Sequence, residues 1–358
     1  MELFWILLLV PMLIQHIAIK GFHIEYQKRN KTALAFYFCL LTVMVMFRNE
    51  SVGNDTKNYI HFFERYCWTD WNNLAQQGLE IGYAYLNKII SLFSNNPQVF
   101  LALVSAAVSV MMYPTYKRLC VDASLTIVLY SILSTFPMMF TGIRQMLAIG
   151  IGFVAYEFTR KKKWISFLAV VILALTFHAS AFMLVFMYPL YHAKITKKWL
   201  YVIVPSLAVV LALNRPIFTF LTAILARFSR LEGDISSTGA YTMLILFTLF
   251  AVFTFLIPDD SNLDAETIGL RNFLLLSLVI QMFAPLHTLA MRMNYYYIVF
   301  IPLLLPKIIQ CASRRWNQVA VLARHVMVVF FLIYFFVNAS GGGSLHVFPY
   351  HFFWENVG

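Results

Sequence analysis

Residues 125–159 read LTIVLYSILSTFPMMFTGIRQMLAIGIGFVAYEFT, and this stretch decides the fold class. Only two of its residues carry charge, and Gly142 separates two apolar runs. A helix needs roughly 17–25 mostly apolar residues to cross the hydrocarbon core of a bilayer. Each run has about that length, so we predict two membrane-crossing helices, at 125–141 and 143–159.

The whole chain has the composition of a membrane protein. Of its 358 residues, 61% are hydrophobic and 12% are charged. Soluble domains have about 45–50% apolar and about 25% charged residues, because their surface must face water. We therefore predict an all-α fold, a polytopic bundle of transmembrane helices that forms a single integral membrane domain over residues 1–358.

The net charge of +11 does not indicate nucleic-acid binding. Membrane proteins retain Lys and Arg residues in their cytoplasmic loops, which explains a basic balance without a polyanionic macromolecule. We expect the lipid bilayer, and no nucleic acid, as a partner.

Apolar runs recur between polar breaks along the chain. They predict twelve transmembrane segments, at 2–19, 33–48, 98–114, 125–141, 143–159, 164–177, 179–192, 199–214, 240–257, 270–288, 293–311 and 320–338. Two large loops, 49–97 and 214–239, then lie on the same side of the membrane. The second loop places arginines among Phe, Leu and Ile residues, a pattern typical of an amphipathic helix in the membrane interface.

The distribution of basic residues predicts which loops face the cytoplasm. The six loops on one side, 20–32, 114–124, 159–164, 192–198, 258–270 and 307–325, hold 17 Lys and Arg residues, and the opposite side holds 9. Cytoplasmic loops carry the excess of basic residues, so both termini and the two large loops are expected outside. Loop 258–270 has four acidic residues and no basic one, so its side follows only from the count of segments.

Segments 164–177 and 179–192 are short and meet at His178. One continuous helix over 164–192 would fit the apolarity as well, but it would place the lysine clusters before and after it on opposite sides of the membrane. A hairpin keeps both clusters in the cytoplasm, and we favour it.

No motif of nucleotide or metal chemistry occurs in the sequence. It has no Walker motif, no GxGxxG stretch and no His or Cys cluster with metal-ligand spacing. We therefore expect no cofactor and no metal.

Polar residues at the predicted outer ends of the segments are the candidates for chemistry. Each has a structural explanation: an arginine can anchor a helix end, Asp55 can be a turn residue, and a histidine can bond a neighbouring helix. Together, however, Arg48, Arg144 and Arg292 would converge without acidic partners, which suits a phosphate-bearing polyanion. A lipid-linked pyrophosphate in the outer leaflet is such a ligand, and a neutral His178 beside it could be a general base.

At these residues the sequence resembles the EpsG family of Wzy-type polysaccharide polymerases. The matching stretches are Arg48-Asn-Glu-Ser-Val-Gly53-Asn-Asp55-Thr56-Lys-Asn-Tyr59, Gly142-Ile-Arg144-Gln145-Met-Leu-Ala148 and Phe177-His178-Ala-Ser180-Ala, with weaker matches at Arg292-Met-Asn-Tyr295-Tyr296 and Pro349-Tyr350. They extend over most of the chain from 48 to 350, and the first of them is the most specific.

The resemblance implies an O-antigen polymerase in the cytoplasmic membrane of a bacterium, with its active site facing the periplasm. Such an enzyme transfers a growing glycan from undecaprenyl pyrophosphate to a new lipid-linked repeat unit, needs no nucleotide sugar, and is compatible with a GT-C-like architecture. A flippase and a chain-length regulator are further expected partners. The implied substrate-binding residues are Arg48, Thr56, Tyr59, Arg144, Gln145 and Arg292.

Two roles stay open at this point. Either His178 or Asp55 would take the proton from the acceptor hydroxyl, and His178 has the ordinary pKa better matched to neutral chemistry. Trp68, Trp71 and Tyr83 in the first large loop would either stack on sugar rings or form an aromatic belt at the membrane interface.

Two other functions fit many of the same residues. A flippase for the lipid-linked unit would also need intramembrane charge, but such transporters often carry internal repeats and none is detectable here. An O-antigen ligase would share the arginines and the large outer loop. An acyltransferase is less compatible, because His178 has no acidic or second histidine neighbour in the sequence.

Overall fold

A computed structural model describes residues 2–16, 25–133, 135–225, 241–313, 317–342 and 345–356. These residues form α-helices and short 3-10 helices, and the sole β-type pairing among them is an isolated bridge between Arg48 and Phe352. The predicted all-α class is therefore confirmed for the described part of the chain.

The α-helices follow one another with short connections. Their bounds are α1 Glu2–His16, α2 Tyr26–Met46, α3 Thr56–Trp68, α4 Ile81–Ser91, α5 Pro97–Leu119, α6 Ala123–Ile132, α7 Thr135–Thr141, α8 Ile143–Arg160, α9 Trp164–Leu175, α10 Met187–His192, α11 Leu200–Ala212, α12 Asn214–Leu225, α13 Tyr241–Leu256, α14 Ala265–Gln281, α15 Thr288–Ile298, α16 Ile301–Ser313 and α17 Asn317–Ser340. The 3-10 helices are Trp71–Gln77, Ala179–Phe186, Lys197–Trp199 and Asp260–Asn262.

Every predicted transmembrane segment overlaps a helix or a pair of helices, but few of these helices are long. Within the described residues, two helices, α5 and α17, are long and apolar enough to cross a membrane alone. If each bent pair of helices counts as one span, the number of spans rises to as many as five. Local signals explain where α5 begins. Asn96 caps α5 by accepting a hydrogen bond from the Gln98 amide at 2.8 Å, with Pro97 in the first turn.

The predicted segments at 125–141 and 293–311 each form two helices instead of one. The chain bends by 49° between α15 and α16. Pro302 lies in the first turn of α16, where its missing N–H removes the bond that would continue α15. Sequence apolarity detects such a segment as one run because a single proline changes the mean hydropathy of the segment only slightly.

The hairpin at His178 is confirmed, and the alternative of one long helix is excluded. Helix α9 ends at Leu175 and the chain turns back, so that the rings of Phe167 and Tyr188 lie 5.4 Å apart. Nε2 of His192 lies 3.1 Å from the Thr159 carbonyl oxygen at the other end of the hairpin. His178 therefore occupies the tip of a hairpin of helices.

The end of the bundle opposite this tip is held together by ion pairs. Arg118 joins Glu157 at 2.9 Å and Glu266 at 2.8 Å, and Arg271 pairs with Asp260 at 2.8 Å. The acidic loop 258–270 thus lies at the same end as the basic loops, as the count of segments predicts. Its carboxylates neutralise arginines of the neighbouring loops and helices, which explains why it needs no basic residue.

Apolar side chains cover the outer surface of several helices. The rows of exposed Val, Leu, Ile and Phe residues follow α5, α9, α11, α13 and α17, and Tyr201 on α11 is 87% exposed. Such surfaces are unfavourable in water and are expected where helices face lipid. Helix α12 begins the predicted interfacial helix of loop 214–239, whose residues 226–239 lie outside the described part of the chain.

Candidate active site

A cavity of about 170 Å³ opens at the end of the bundle that carries the hairpin tip. Its lining consists of Asp55, Asn58, Tyr59, Phe62, Met138, Gly142, Arg144, Gln145, His178 and Arg292. The structure thus brings together six of the eight residues that the sequence predicts for the site. The other two, Arg48 and Thr56, lie outside the lining.

Arg48 and Thr56 form a buried structural node. The Arg48 side chain has no exposed surface; its Nη1 donates to the Val45 carbonyl and its Nε to the Thr56 hydroxyl at 3.3 Å. Thr56 in turn donates to the Val52 carbonyl at 2.6 Å. These bonds hold the loop that precedes α3, whereas Nη2 of Arg48 has no hydrogen-bond partner among the described residues. Neither side chain lines the cavity, and their substrate contacts stay predictions.

The C-terminal segment 345–356 packs on this loop. The Asn49 amide donates to the His351 carbonyl at 2.8 Å, and the Gly53 amide donates to the His346 carbonyl at 2.9 Å. The Tyr350 hydroxyl donates to the Met44 carbonyl at the end of α2, also at 2.8 Å. Two stretches that are distant in sequence, 48–59 and 349–350, therefore form one structural unit.

Gly53 allows this unit to approach the cavity wall. Its φ of +89° is a left-handed conformation, and a Cβ atom at this position would lie 2.6 Å from the Phe140 carbonyl oxygen. A side chain would be excluded by both the backbone conformation and the fixed backbone of α7. The close approach places Asp55, two residues later, at the cavity, where its amide donates to the Thr141 hydroxyl at 3.0 Å.

Gly53→Ala is expected to lower the apparent melting temperature in detergent and to reduce activity. Gly78→Ala is the matched control, because Gly78 has a φ of +79° and open space around its Cβ position. The positive φ alone costs roughly 1–2 kcal/mol, so Gly78→Ala should show only that loss. Equal melting temperatures of the two variants would contradict a structural role for the Gly53–Phe140 contact.

Asp55 holds an N-cap position without capping its helix. Its carboxylate makes no hydrogen bond to the first amides of α3, and it has no ion-pair or hydrogen-bond partner among the described residues. Asp122 and Asp264, by contrast, accept hydrogen bonds from Leu125 at 3.2 Å and Thr267 at 2.6 Å. A carboxylate that lines a cavity and does not cap its own helix is available to bind a substrate.

Arg144 has an acidic partner that sequence reasoning missed. Its Nη1 donates to Oε2 of Glu80, the residue before α4, and the Tyr59 side chain lies nearby. The other Glu80 oxygen, Oε1, accepts from the Ala179 amide at 3.2 Å. The expectation of arginines without acidic partners is wrong for Arg144, because Glu80 lies in a long loop where no motif marks it.

The Glu80 loop is fixed against the hairpin tip by Gly82. The Gly82 amide donates to the Thr176 carbonyl at 2.8 Å, and a Cβ atom at position 82 would lie 2.2 Å from the Thr176 hydroxyl and 2.9 Å from its carbonyl oxygen. A larger residue would push α4 away from the turn that carries His178. Gly82 therefore keeps Glu80 within reach of both Arg144 and Ala179.

Gln145 and Arg292 complete the polar wall of the cavity. Gln145 donates through Nε2 to the Arg292 carbonyl and so fixes the backbone of α15 against α8. The Arg292 side chain itself is exposed and has no ion-pair partner among the described residues. One arginine of the cavity is therefore paired with a carboxylate and the other remains open to an anion.

His178 caps the helix that follows it. Its Nδ1 accepts a hydrogen bond from the Ser180 amide at 3.2 Å and lies 2.7 Å from the Ser180 hydroxyl. That hydroxyl lies 3.2 Å from the Tyr296 hydroxyl. Burial, together with the neighbouring Arg144 and Arg292, holds the pKa of the His178 imidazole well below its usual range, although Glu80 opposes the shift.

The aromatic residues of the first large loop differ in exposure. Trp68 and Trp71 are exposed, whereas Tyr83 is completely buried and packs against Tyr59 and Phe100 with ring centroids 6.0 and 6.3 Å away. Sugar stacking on Tyr83 is therefore excluded in this structure. Both predictions for the two tryptophans, a sugar platform or an interface belt, stay open.

The chemistry of the cavity is that of an anion site with proton acceptors. Two guanidinium groups can bind phosphate oxygens, and a carboxylate and an imidazole lie beside them. No group of three or more His, Cys, Asp or Glu residues that could hold a metal ion occurs among the described residues.

Comparison with protein families gives one finding. The model of the EpsG family matches residues 31–352, which include every stretch that forms the cavity. Neither the curated proteins nor the solved structures that were searched contain a match.

Proposed function

The chain belongs to the EpsG family, and we propose that it is a polysaccharide polymerase, a membrane glycosyltransferase that takes its donor from a lipid pyrophosphate. The observation that supports this most directly is the joint placement of Arg144 and Arg292 with Asp55 and His178 in one cavity. Cationic side chains suit the pyrophosphate, and either of the other two groups can accept the proton of an incoming hydroxyl.

The proposed reaction is a direct displacement at the anomeric carbon of the growing glycan. The bond between this carbon and the pyrophosphate oxygen breaks, and undecaprenyl pyrophosphate leaves with the electron pair. A hydroxyl of the terminal sugar of a new lipid-linked repeat unit forms the new bond and loses its proton to a base in the cavity. Arg144 and Arg292 stabilise the charge that develops on the leaving group.

The proposed setting is the cytoplasmic membrane of a bacterium. Twelve transmembrane segments in one integral membrane domain, residues 1–358, would place the cavity at the periplasmic face in a GT-C-like architecture. The product would be O-antigen for lipopolysaccharide. Undecaprenyl-pyrophosphate-linked oligosaccharide is the substrate, and a flippase and a chain-length regulator are the proposed partners.

Purified protein in detergent or proteoliposomes tests this function. With undecaprenyl-pyrophosphate-linked repeat units and no nucleotide sugar, we expect a ladder of longer lipid-linked glycans and release of undecaprenyl pyrophosphate. Gel electrophoresis and mass spectrometry measure these products. In cells, deletion of the gene should leave lipid A-core with a single repeat unit. Persistence of long chains in the deletion strain would contradict the proposal.

The same assay separates the two alternative functions. A ligase would transfer the glycan to lipid A-core and would not lengthen the lipid-linked glycan. A flippase would move the lipid-linked unit across proteoliposomes without releasing undecaprenyl pyrophosphate. Engineered cysteines in loops 49–97 and 258–270, probed with an impermeant reagent, would test the proposed orientation.

A further inference from the structure

The hydrogen bonds of His178 define which of its ring nitrogens carries the proton. A backbone N–H is only a donor, so the nitrogen that accepts from the Ser180 amide, Nδ1, must present its lone pair. In a neutral imidazole the proton then resides on the other nitrogen, Nε2. Nε2 makes no hydrogen bond among the described residues, and the side chain lines the cavity.

A second hydrogen bond is compatible with this tautomer. The Ser180 hydroxyl is 2.7 Å from Nδ1 and 3.2 Å from the hydroxyl of Tyr296, which is buried. With the lone pair on Nδ1, the Tyr296 hydroxyl can donate to Ser180 and the Ser180 hydroxyl can donate to Nδ1. Moving the proton to Nδ1 would set it against the Ser180 amide, which can only donate, and would break the cap of the helix Ala179–Phe186.

We propose that His178 acts as a hydrogen-bond donor to the leaving pyrophosphate through Nε2–H, and that Asp55 is the base that receives the acceptor proton. This inference rests on the proposed function and assigns roles within it. In the displacement, the acceptor hydroxyl transfers its proton to the Asp55 carboxylate as its oxygen bonds the anomeric carbon. The pyrophosphate leaves as an anion, neutralised by Arg144 and Arg292 and hydrogen-bonded by Nε2–H.

The charges around His178 fit a neutral donor better than a base. Arg144 and Arg292 lie close enough to disfavour a positive imidazolium, and only Glu80 favours it. Glu80 is itself paired with Arg144 and bonded to the Ala179 amide. A histidine that resists protonation is a poor proton acceptor, whereas its N–H remains a good donor to a phosphate oxygen over the neutral pH range.

Substitution by asparagine or glutamine tests the roles of the two ring nitrogens of His178 separately. In His178→Asn the side-chain oxygen can still cap the helix, because asparagine is a favoured N-cap residue, but no donor reaches the position of Nε2. In His178→Gln the amide N–H reaches the position of Nε2, but it cannot act as a base. His178→Ala lacks both groups and provides the reference for complete loss.

We expect elongation and pyrophosphate binding to depend on whether the variant keeps a donor at the position of Nε2. Thermal stability should depend on whether the variant keeps the helix cap. His178→Ala and His178→Asn should lose roughly 10²–10³-fold in elongation rate, as for other lost donors to a developing oxyanion. His178→Gln should stay within about tenfold of the unchanged protein, since one imperfect hydrogen bond costs about that much. Farnesyl pyrophosphate, a soluble probe measured by calorimetry, should bind more weakly to the Ala and Asn variants than to Gln.

The outcomes also distinguish this inference from the proposed function. If the Gln variant is as inactive as Ala and all three variants bind farnesyl pyrophosphate unchanged, His178 is a base and the inference is overturned while the polymerase remains. An NMR spectrum of ¹⁵N-histidine-labelled protein that shows His178 protonated on Nδ1 would overturn it as well. If the unchanged protein fails to elongate lipid-linked glycans, the proposed function fails, and the probe-binding series and the tautomer still decide whether His178 is an anion donor.

Discussion

Arg144→Ala is expected to abolish glycan elongation while most of the protein remains folded. Arg144 lies in the first turn of α8, and its guanidinium borders the cavity beside His178. Loss of a donor that stabilises a developing anion costs roughly 10²–10³-fold in rate, and loss of a full positive charge from a partly buried site should reach the upper end of that range. The elongation assay with purified variants measures the rate, and farnesyl pyrophosphate binding measures the anion site.

The ion pair with Glu80 complicates the reading of this variant. Removing Arg144 leaves a partly buried carboxylate without its partner, which destabilises the folded state on its own account. The double variant Arg144→Ala, Glu80→Gln removes both charges. It should recover the melting temperature but not the activity, because Glu80 positions Arg144 and does not replace it.

Arg118→Ala is the matched control for a lost ion pair. Arg118 is also partly buried and pairs with Glu157 and Glu266, but at the opposite end of the bundle. It should lower the melting temperature and leave the elongation rate of the folded protein unchanged. Arg144→Lys should recover only part of the activity, since a lysine keeps the charge but not the two-pronged grip on phosphate. Equal activity losses in Arg144→Ala and Arg118→Ala would contradict the site.

The apolar pattern of the sequence predicts the helices well and the contacts between them poorly. The hairpin at His178 follows from its two lysine clusters, and the position of loop 258–270 follows from the order of the segments. The break at Pro302 escapes prediction because a single proline changes the mean hydropathy of an apolar run only slightly. The number of helices that cross the membrane depends on such breaks.

The candidate site shows the same limit at the level of single side chains. Six predicted residues meet in the cavity because the alternation of the segments brings their ends together. Arg48 resembles the other arginines in the sequence, but only the structure shows that it lies outside the cavity and that its Nε and Nη1 bind Thr56 and a backbone carbonyl. Glu80 is the opposite case: it is central to the geometry and lies far from any motif.

Asp55→Asn is expected to stop elongation without weakening the anion site. The change keeps the size of the side chain and removes its ability to accept a proton. Loss of a general base costs roughly 10²–10⁴-fold in rate. Farnesyl pyrophosphate should bind at least as tightly, because the variant removes a negative charge from a cavity that receives an anion. Little loss of stability is expected, since the Asp55 carboxylate does not cap α3.

Asp70→Asn is the control, because Asp70 lies in the same loop and is also an N-cap residue without a capping bond, but it is outside the cavity. It should leave elongation and binding unchanged. Formate provides a positive test: in Asp55→Ala a small carboxylate can enter the vacated space and accept the proton, so added formate should restore part of the rate. Formate should not rescue Arg144→Ala, which lacks a cation.

Two results would remove Asp55 from the mechanism. Full elongation by Asp55→Asn would show that no proton passes to this carboxylate. Parallel loss of elongation and of pyrophosphate binding would show that Asp55 shapes the anion site and is not the base. Because the Asn variant keeps the shape and the Ala variant with formate supplies the charge separately, the pair distinguishes a missing proton acceptor from a displaced loop. Only a base explains the combination of intact pyrophosphate binding without elongation in Asp55→Asn and elongation restored by formate in Asp55→Ala.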